Sequence, residues 1–320
     1  MSQPAASGAP RQVWLDTDPG LDDWLTWLLL MQMPTLRLAG VSVVAGNAPL
    51  ATTLDNALRI RALHGWAHPV HGGADRPLQG PLQTAEAVLG AQGMHSAGPP
   101  LPPCATAADS RDAVGALLAH LHSSPGPTTL LAIGPLTHIA QAVLRDRPCL
   151  LRQVDELVLM GGSTDRGNHT AAAEFNIHAD PEAADIVFRS GLPVRMFGLN
   201  LCRQLLLQRR HVQALQALPS PRARVLAGYV DAYQRLRSAD GSLPMPLYDP
   251  VVALWLMAPQ LFSFQAAPVD IELHGRHTRG MTVCDLRNRQ GRPCAVQIAM
   301  QADGDAAMAL FMQTLLAALA

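Results

Sequence analysis

Short apolar runs alternate with amphipathic segments along most of the chain. The runs of strand length predict strands at residues 12–16, 38–46, 69–72, 128–134, 154–162 and 193–200. Segments whose apolar residues recur every three or four positions predict helices at residues 22–33, 50–64, 112–122, 136–145 and 181–190. Strands that alternate with helices in this way are typical of a parallel α/β sheet.

The pattern changes after residue 200. Residues 203–262 look mostly helical with a break at 238–246, residues 265–302 give three β-rich runs, and a helix begins at Asp305. Residues 90–108 are rich in Gly, Pro and Ala and long enough to be a functional loop, which makes the segment a candidate lid. We expect a disordered tail at residues 1–11, followed by a single domain at residues 12–320.

Composition narrows the classes of partner. The formal net charge of −1 gives no field that would recruit nucleic acid or an anionic membrane, so neither is expected as a partner. The five cysteines are scattered and lack CxxC spacing, which argues against a disulfide framework or a zinc site. We therefore expect a reducing, cytoplasmic location and a small-molecule substrate.

An acidic turn follows the first predicted strand. It contains Asp16, Asp18, Asp22 and Asp23. Open α/β sheets keep their sites at the carboxyl ends of strands, where this turn should lie. Close carboxylates repel one another unless their pKa values rise, a basic side chain pairs with them, or a hard metal ion binds. No Lys or Arg lies between Arg11 and Arg37, which favours the metal. Helix capping is the alternative, but it explains one or two of the acids.

A polar loop at residues 160–181 is the second candidate site. Asn168, Glu174 and Asn176 offer the donors and acceptors that a polyhydroxylated ligand needs, and Phe175 could cover it. The alternative is an Asx-rich loop that caps the next helix, a role that we assign to Asp180.

Other strand ends carry weaker signals. Asn47 follows the second predicted strand, and Asp249 precedes a proline. Each residue alone is typical of a turn or a helix cap. Backbone carbonyls in the Ile-Gly-Pro-Leu-Thr turn at residues 133–137 could reach an ion.

Together these segments resemble the inosine-uridine preferring nucleoside hydrolases. The shared motifs are Asp-Thr-Asp-Pro-Gly-Leu-Asp-Asp at 16–23, Gly-Asn at 46–47, Ala-Ile-Gly-Pro-Leu-Thr at 132–137, Met-Gly-Gly at 160–162, Ala-Glu-Phe-Asn at 173–176 and Asp-Pro at 249–250. They occur in the expected order from about residue 12 onward. The first motif joined to Ala-Glu-Phe-Asn is the specific part of the match.

The resemblance implies the nucleoside hydrolase fold, an open and mostly parallel Rossmann-like sheet flanked by helices with an additional C-terminal β-rich segment. It also implies a homodimer or homotetramer that hydrolyses ribonucleosides to ribose and free base with one bound Ca²⁺. Water would be activated by calcium and by Asp18 as general base, and the transition state would be oxocarbenium-like.

The resemblance also assigns roles to individual residues. The implied calcium ligands are Asp18, Asp23, Asp249 and the main-chain oxygen of Ile133. The implied ribose contacts are Asp22, Asn176 and Asp249 at the 2′- and 3′-hydroxyls and Asn168 and Glu174 at the 5′-hydroxyl, with Asn47 nearby and Met160 and Phe175 as further substrate contacts. Asp16 would orient the turn without touching the substrate.

The side that holds the base departs from the family pattern. Tyr248 stands where many members have a His, and Leu89 aligns with a second family His. The acid that would protonate the leaving base is therefore unassigned. Its candidates, also expected near the base, are Tyr248, His95, His169, Tyr229 and Tyr233.

Two alternatives to the hydrolase remain open. Tyr248 motivates a catalytically impaired paralogue that binds nucleosides or ribose without turnover. The Asp-Thr-Asp sequence at residues 16–18 superficially permits a phosphatase with an Asp nucleophile, but the chain contains no Lys to act as its partner.

Overall fold

A computed structural model describes residues 10–320, so residues 1–9 of the predicted tail lie outside the described residues. The strands are β1 (Arg11–Thr17), β2 (Leu36–Val43), β3 (Val70–Gly72), β4 (Thr128–Ala132), β5 (Val154–Met160), β6 (Val194–Phe197), β7 (Leu206–Leu207), β8 (Met245–Pro246), β9 (Phe262–Ala267), β10 (Val269–Ile271), β11 (Thr282–Cys284) and β12 (Val296–Ala302). The helices are α1 (Leu21–Leu30), α2 (Leu50–His64), α3 (Glu86–Leu89), α4 (Ala113–Ser123), α5 (Thr137–Gln153), α6 (Phe175–Ala179), α7 (Pro181–Phe188), α8 (Leu199–Cys202), α9 (Arg209–Gln216), α10 (Pro221–Gln234), α11 (Pro250–Met257) and α12 (Gly304–Leu319). The organisation as one domain stays a prediction.

The central sheet has eight strands in the order β3-β2-β1-β4-β5-β6-β12-β9. Neighbouring strands are parallel except β9, which runs antiparallel to β12. This arrangement confirms the predicted open, mostly parallel sheet with added C-terminal strands. The strand order reverses direction between β1 and β4, and such a reversal opens a crevice at the carboxyl ends of the two strands.

Helices cover both faces of the sheet. Val13 and Leu15 of β1 pack on one side with α1, α2 and α12, whereas Trp14 points to the other side, where α4, α5 and α7 pack. Because both faces are buried, side chains of both orientations are apolar. This explains why the strands are visible in the sequence as continuous apolar runs.

Several predicted boundaries differ from the structure, and three of them have clear local reasons. β2 ends at Val43, so residues 44–46 belong to the turn that carries Asn47. The predicted strand at 193–200 is a strand that ends at Phe197 followed by α8, which begins at Leu199. α5 continues to Gln153 with a break at Asp146, whose side chain accepts a hydrogen bond from the amide of Cys149 and so caps the second half of the helix.

The C-terminal region is more strand-rich than predicted. Residues 262–302 contain β9 to β12, four strands where three were expected, and the short α6 was not predicted. Residues 90–108 contain no helix or strand, and the segment packs on α10 through the amide of Leu101, which donates to the Tyr229 hydroxyl at 2.9 Å. Within residues 10–320, no helix combines the length and the apolar character that crossing a membrane requires.

An aromatic cluster lies between α1 and the segment after α2. The rings of His64 and Trp66 stack at 4.6 Å, and His68 packs against Trp27 at 5.1 Å. Burial lowers the pKa of His64 and of His68 to about 4, with smaller contributions from Arg222 and Arg61 respectively. Both imidazoles are therefore neutral in the folded protein at neutral pH.

We expect this cluster to make the protein acid-sensitive. In the unfolded chain, the two imidazoles take up protons near pH 6.5. Their contribution to the free energy of unfolding is therefore complete above about pH 6.5 and is lost as the pH drops towards about 4. The His68→Leu variant should lose less stability than the wild type between about pH 7.5 and about pH 5 in urea unfolding. His277→Leu, at an exposed position, is the control. An unchanged pH dependence in the His68 variant would contradict the assignment.

Candidate active site

The acidic turn lies at the carboxyl end of β1, beside the crevice between β1 and β4. Asp23 occupies the third position of α1 and accepts hydrogen bonds from the amide of Gly20 at 2.8 Å and from the Thr17 hydroxyl. The alternative interpretation, helix capping, therefore accounts for part of the role of Asp23. It does not describe Asp18, which precedes the helix, and both carboxylates are almost completely buried.

Asn47 binds the acidic turn directly. Its amide nitrogen donates to the Asp18 carboxylate at 2.7 Å, and its side-chain nitrogen donates to the main-chain oxygen of Asp18 at 3.0 Å and to the Asp23 carboxylate at 3.2 Å. Asn47 also borders the cavity described below. Asn47 therefore positions two carboxylates, Asp18 through its main-chain N–H and Asp23 through its side-chain amide, in addition to any contact with substrate.

Two glycines leave room for the Asp18 side chain. A Cβ at Gly46 would lie 2.1 Å from one Asp18 carboxylate oxygen, and a Cβ at Gly134 would lie 2.8 Å from the other. The turns after β2 and β4 therefore approach the carboxylate from two sides. A larger residue at either position would push Asp18 away.

Asp16 lies behind the turn. Its carboxylate contacts Nδ1 of His138 at 2.7 Å, and Nε2 of His138 accepts from the amide of Ala74 at 2.7 Å. Because Nε2 is an acceptor, Nδ1 carries the proton and donates to Asp16. Asp16 does not line the cavity, which disfavours the phosphatase alternative that needs an accessible nucleophile here.

The polar loop is held by its own side chains. Glu174 accepts from the amides of Gly162 and Asn176 at 2.9 and 2.8 Å, and Asn168 accepts from the amide of Phe175 at 3.0 Å. The side-chain nitrogen of Asn176 donates to the main-chain oxygen of Ile133 at 3.0 Å. This bond ties the loop to the carboxyl end of β4.

These elements enclose a cavity of about 370 Å³. The predicted residues that line it are Asp18, Asp22, Asn47, Ile133, Met160, Asn168, His169, Glu174, Phe175, Asn176, Tyr233, Tyr248 and Asp249. His95 and Tyr229 instead line a small neighbouring cleft, where the Tyr229 hydroxyl accepts a hydrogen bond from the amide of Leu101. The assignments of substrate contacts to individual residues stay predictions.

Burial raises the pKa of all four carboxylates, and repulsion between neighbouring charges adds to it for three of them. Burial is the largest cause for Asp18, Asp22, Asp23 and Asp249, and charges of the neighbouring aspartates add to it for Asp18, Asp22 and Asp249; the pKa of Asp22 rises to about 7. In the part of the chain that the structure describes, no Arg or His forms a salt bridge with any of them. A bound cation would remove this repulsion.

The donor atoms fit a hard metal ion. Carboxylate oxygens of Asp22, Asp23 and Asp249 lie within 4.8 Å of one another, which makes this trio a possible metal-binding group. All of these donors are oxygens, the ligands that Ca²⁺ and Mg²⁺ prefer. Asp18 lies outside this trio, whereas Asp22, expected at ribose, belongs to it.

The cavity is also lined by phenols and by an arginine that was not predicted. Burial, the thiol of Cys202 and the charge of Asp22 raise the pKa of Tyr248 to about 12, far from the value that suits an acid at neutral pH. Leu89 and Arg237 also line this cavity. Arg237 gave no signal in the sequence because it lies beyond the predicted motifs, in the break after α10.

Comparison with known proteins agrees with this geometry. The sequence profile described as "Inosine-uridine preferring nucleoside hydrolase" matches residues 13–309. The chain belongs to the inosine-uridine preferring nucleoside hydrolase family. It is therefore an N-glycosidase that hydrolyses ribonucleosides, and the alternative of a binding paralogue has no support.

The relatives include proteins with different base preferences. A pyrimidine-specific ribonucleoside hydrolase RihA from Shewanella woodyi is 37% identical over 95% of this chain and 98% of its own length. The structure of a purine-preferring ribonucleoside hydrolase from Gardnerella vaginalis superposes with a TM-score of 0.86 at 27% identity, over 97% of this chain and 99% of that one. A plant nucleoside hydrolase gives the same TM-score at 28% identity, over 96% and 99%.

Replacement of Gly46 by Ala tests the space around Asp18. The added methyl would displace the carboxylate, and we expect kcat/KM for the preferred nucleoside to fall by about 100-fold, as for other misplacements of roughly 1 Å. Gly126→Ala is the matched control, since nothing lies within 4 Å of its added Cβ. Full activity in a folded Gly46 variant, judged by steady-state kinetics and circular dichroism, would disprove the tight fit.

Proposed function

We propose that this N-glycosidase is calcium-dependent and prefers pyrimidine ribonucleosides. The observation that carries the calcium proposal is the cluster of aspartates at the crevice between β1 and β4, which has no basic partner among residues 10–320. The pyrimidine preference is supported by the pyrimidine-specific relatives, which are 37 to 40% identical to this chain. A cytoplasmic location and a homodimer or homotetramer stay predictions.

Asp18 is proposed as the general base. Its carboxylate borders the cavity and is fixed by Asn47, so it can take a proton from a water that attacks C1′ of the ribose. Asp18, Asp23, Asp249 and the main-chain oxygen of Ile133 would hold the ion. Bound Ca²⁺ would supply a positive charge that lowers the pKa of water and neutralises the carboxylates.

The remaining polar residues are proposed to hold the ribose. Asn168 and Glu174 would bind the 5′-hydroxyl, and Asp22, Asn176 and Asp249 would bind the 2′- and 3′-hydroxyls. Positive charge develops on the sugar in an oxocarbenium-like transition state. Fixed carboxylates and amide oxygens around the ribose stabilise that charge without having to reorganise.

The panel of substrates is the first test. Release of reducing sugar from uridine, cytidine, inosine, adenosine and guanosine should be fastest for the two pyrimidine nucleosides. Faster turnover of inosine or guanosine would overturn the proposed preference while leaving the N-glycosidase activity in place.

Asp18→Asn should remove the base while preserving the volume of the side chain. We expect kcat to fall by about 10²–10⁴-fold, the usual contribution of a general base. Asp185→Asn, on the surface of α7 where it pairs with Arg189, is the control and should keep full activity. An Asp18 variant with wild-type turnover would exclude this residue as the base.

Removal of calcium should abolish turnover and lower the unfolding temperature. The repulsion among the buried aspartates is then uncompensated, so both effects should appear together on treatment with EGTA. Added Ca²⁺ should restore both, and Mg²⁺ should do so less well because it demands a smaller octahedral site. Protein that elemental analysis shows to be metal-free, yet fully active, would refute calcium dependence.

A further inference from the structure

An arginine-lined cleft opens beside the nucleoside cavity. The cleft, with a volume of about 510 Å³, is lined by Arg166, Arg203 and Arg237 and shares Tyr248 with the cavity. Within residues 10–320, the carboxylate that forms a salt bridge with this group is Asp165, which pairs with Arg203. The cleft therefore has a net positive charge, in contrast to the acidic floor of the cavity.

Arg237 stands at the junction of the two spaces. It follows α10 by three residues, and its Nη1 donates to the main-chain oxygen of Pro244 at 2.5 Å, just before β8. It lines both the cleft and the nucleoside cavity. The carbonyl bond fixes one end of the guanidinium, and its other N–H groups can donate to a ligand.

Tyr248 lines both spaces together with Arg237. The resemblance to the family aligns Tyr248 with the His of the leaving-group side, and this alignment would put Arg237 on the same side. We propose that Arg237 binds the departing base and stabilises the negative charge that develops on it as the glycosidic bond breaks. This assignment rests on the proposed function, because the proposed ribose contacts determine where the base lies.

The bond changes balance without a protein acid. The C1′–N bond breaks, its electron pair stays on the nitrogen, and the base departs as an anion paired with the guanidinium. The oxygen of water bonds to C1′, and its proton passes to Asp18. The base anion then takes a proton from solvent, because Arg stays protonated and cannot supply one.

His169 is the rival residue at this cavity. Its ring packs on Phe175 and His178 at 5.4 and 4.7 Å, in the loop that carries Asn168. Burial and the neighbouring His178 lower its pKa, so it is uncharged at neutral pH. A guanidinium such as that of Arg needs no protonation step to carry a positive charge.

The test compares two leaving groups in Arg237→Gln. The uracil of uridine is a poor leaving group unless its negative charge is stabilised. By contrast, p-nitrophenyl β-D-riboside releases a stable phenolate without such stabilisation. We expect kcat for uridine to fall by about 100-fold or more, the effect of removing one donor to a developing anion, with little change for the phenyl riboside. Arg237→Lys, which keeps the charge, should recover part of the loss.

Arg235→Gln is the matched control. Arg235 lies two residues away and pairs with Asp231 and with the main-chain oxygen of Ala239, outside the cavity, so both substrates should react as in the wild type. Equal losses on both substrates in Arg237→Gln, or no loss on uridine, would overturn the proposal. Asp18→Asn should lose activity on both substrates. If Asp18→Asn kept activity on both substrates while Arg237→Gln lost activity on uridine alone, the proposed activation of water by Asp18 would be wrong and the role of Arg237 would stand.

Discussion

Electrostatic repulsion among buried aspartates is the constraint on which the site depends. Asp18, Asp23 and Asp249 are almost inaccessible to solvent, and Asp22 lies among them. An isolated buried carboxylate tends to take up a proton, as the raised pKa values indicate. A cluster that stays ionised to act as the proposed base would need a cation, and the lack of a salt bridge to these residues in the described chain favours a metal for that role.

The fold supplies the rigidity that this repulsion demands. The turn follows β1, which is flanked by β2 and β4 in the middle of a sheet covered on both faces. Gly46 and Gly134 let the neighbouring turns close on Asp18, Asn47 donates to it, and the contact between Asp16 and His138 anchors the strand end from behind. These contacts hold the end of β1 and the Asp18 carboxylate in place whether or not substrate is bound.

Contiguous motifs were visible in the sequence, whereas contacts between distant segments were not. The acidic turn and the Ala-Glu-Phe-Asn loop could be recognised because their polar residues lie a few positions apart and interrupt apolar runs. The partner of Asp16 could not, since His138 lies 122 residues away and looks like an ordinary helix residue. Asn47 was expected near the substrate, and its bonds to Asp18 and Asp23 became apparent only when β2 and β1 were placed side by side.

The same limit applies to the wall that faces the base. Tyr229 and Tyr233 lie four residues apart on α10, so the sequence treats them alike, yet Tyr233 borders the nucleoside cavity whereas Tyr229 anchors Leu101. Arg237 belongs to neither a motif nor a helix, and its proximity to Tyr248 depends on how the chain returns through β8. On the proposed assignments, the positive and negative charges that develop in the reaction are stabilised at different places in the fold. Carboxylates at the strand ends face the sugar, which becomes positive, and a guanidinium after α10 faces the base, which becomes negative. A histidine that donates a proton is one way to neutralise the negative charge on the departing base. A fixed cation is another way, and it requires no titratable group.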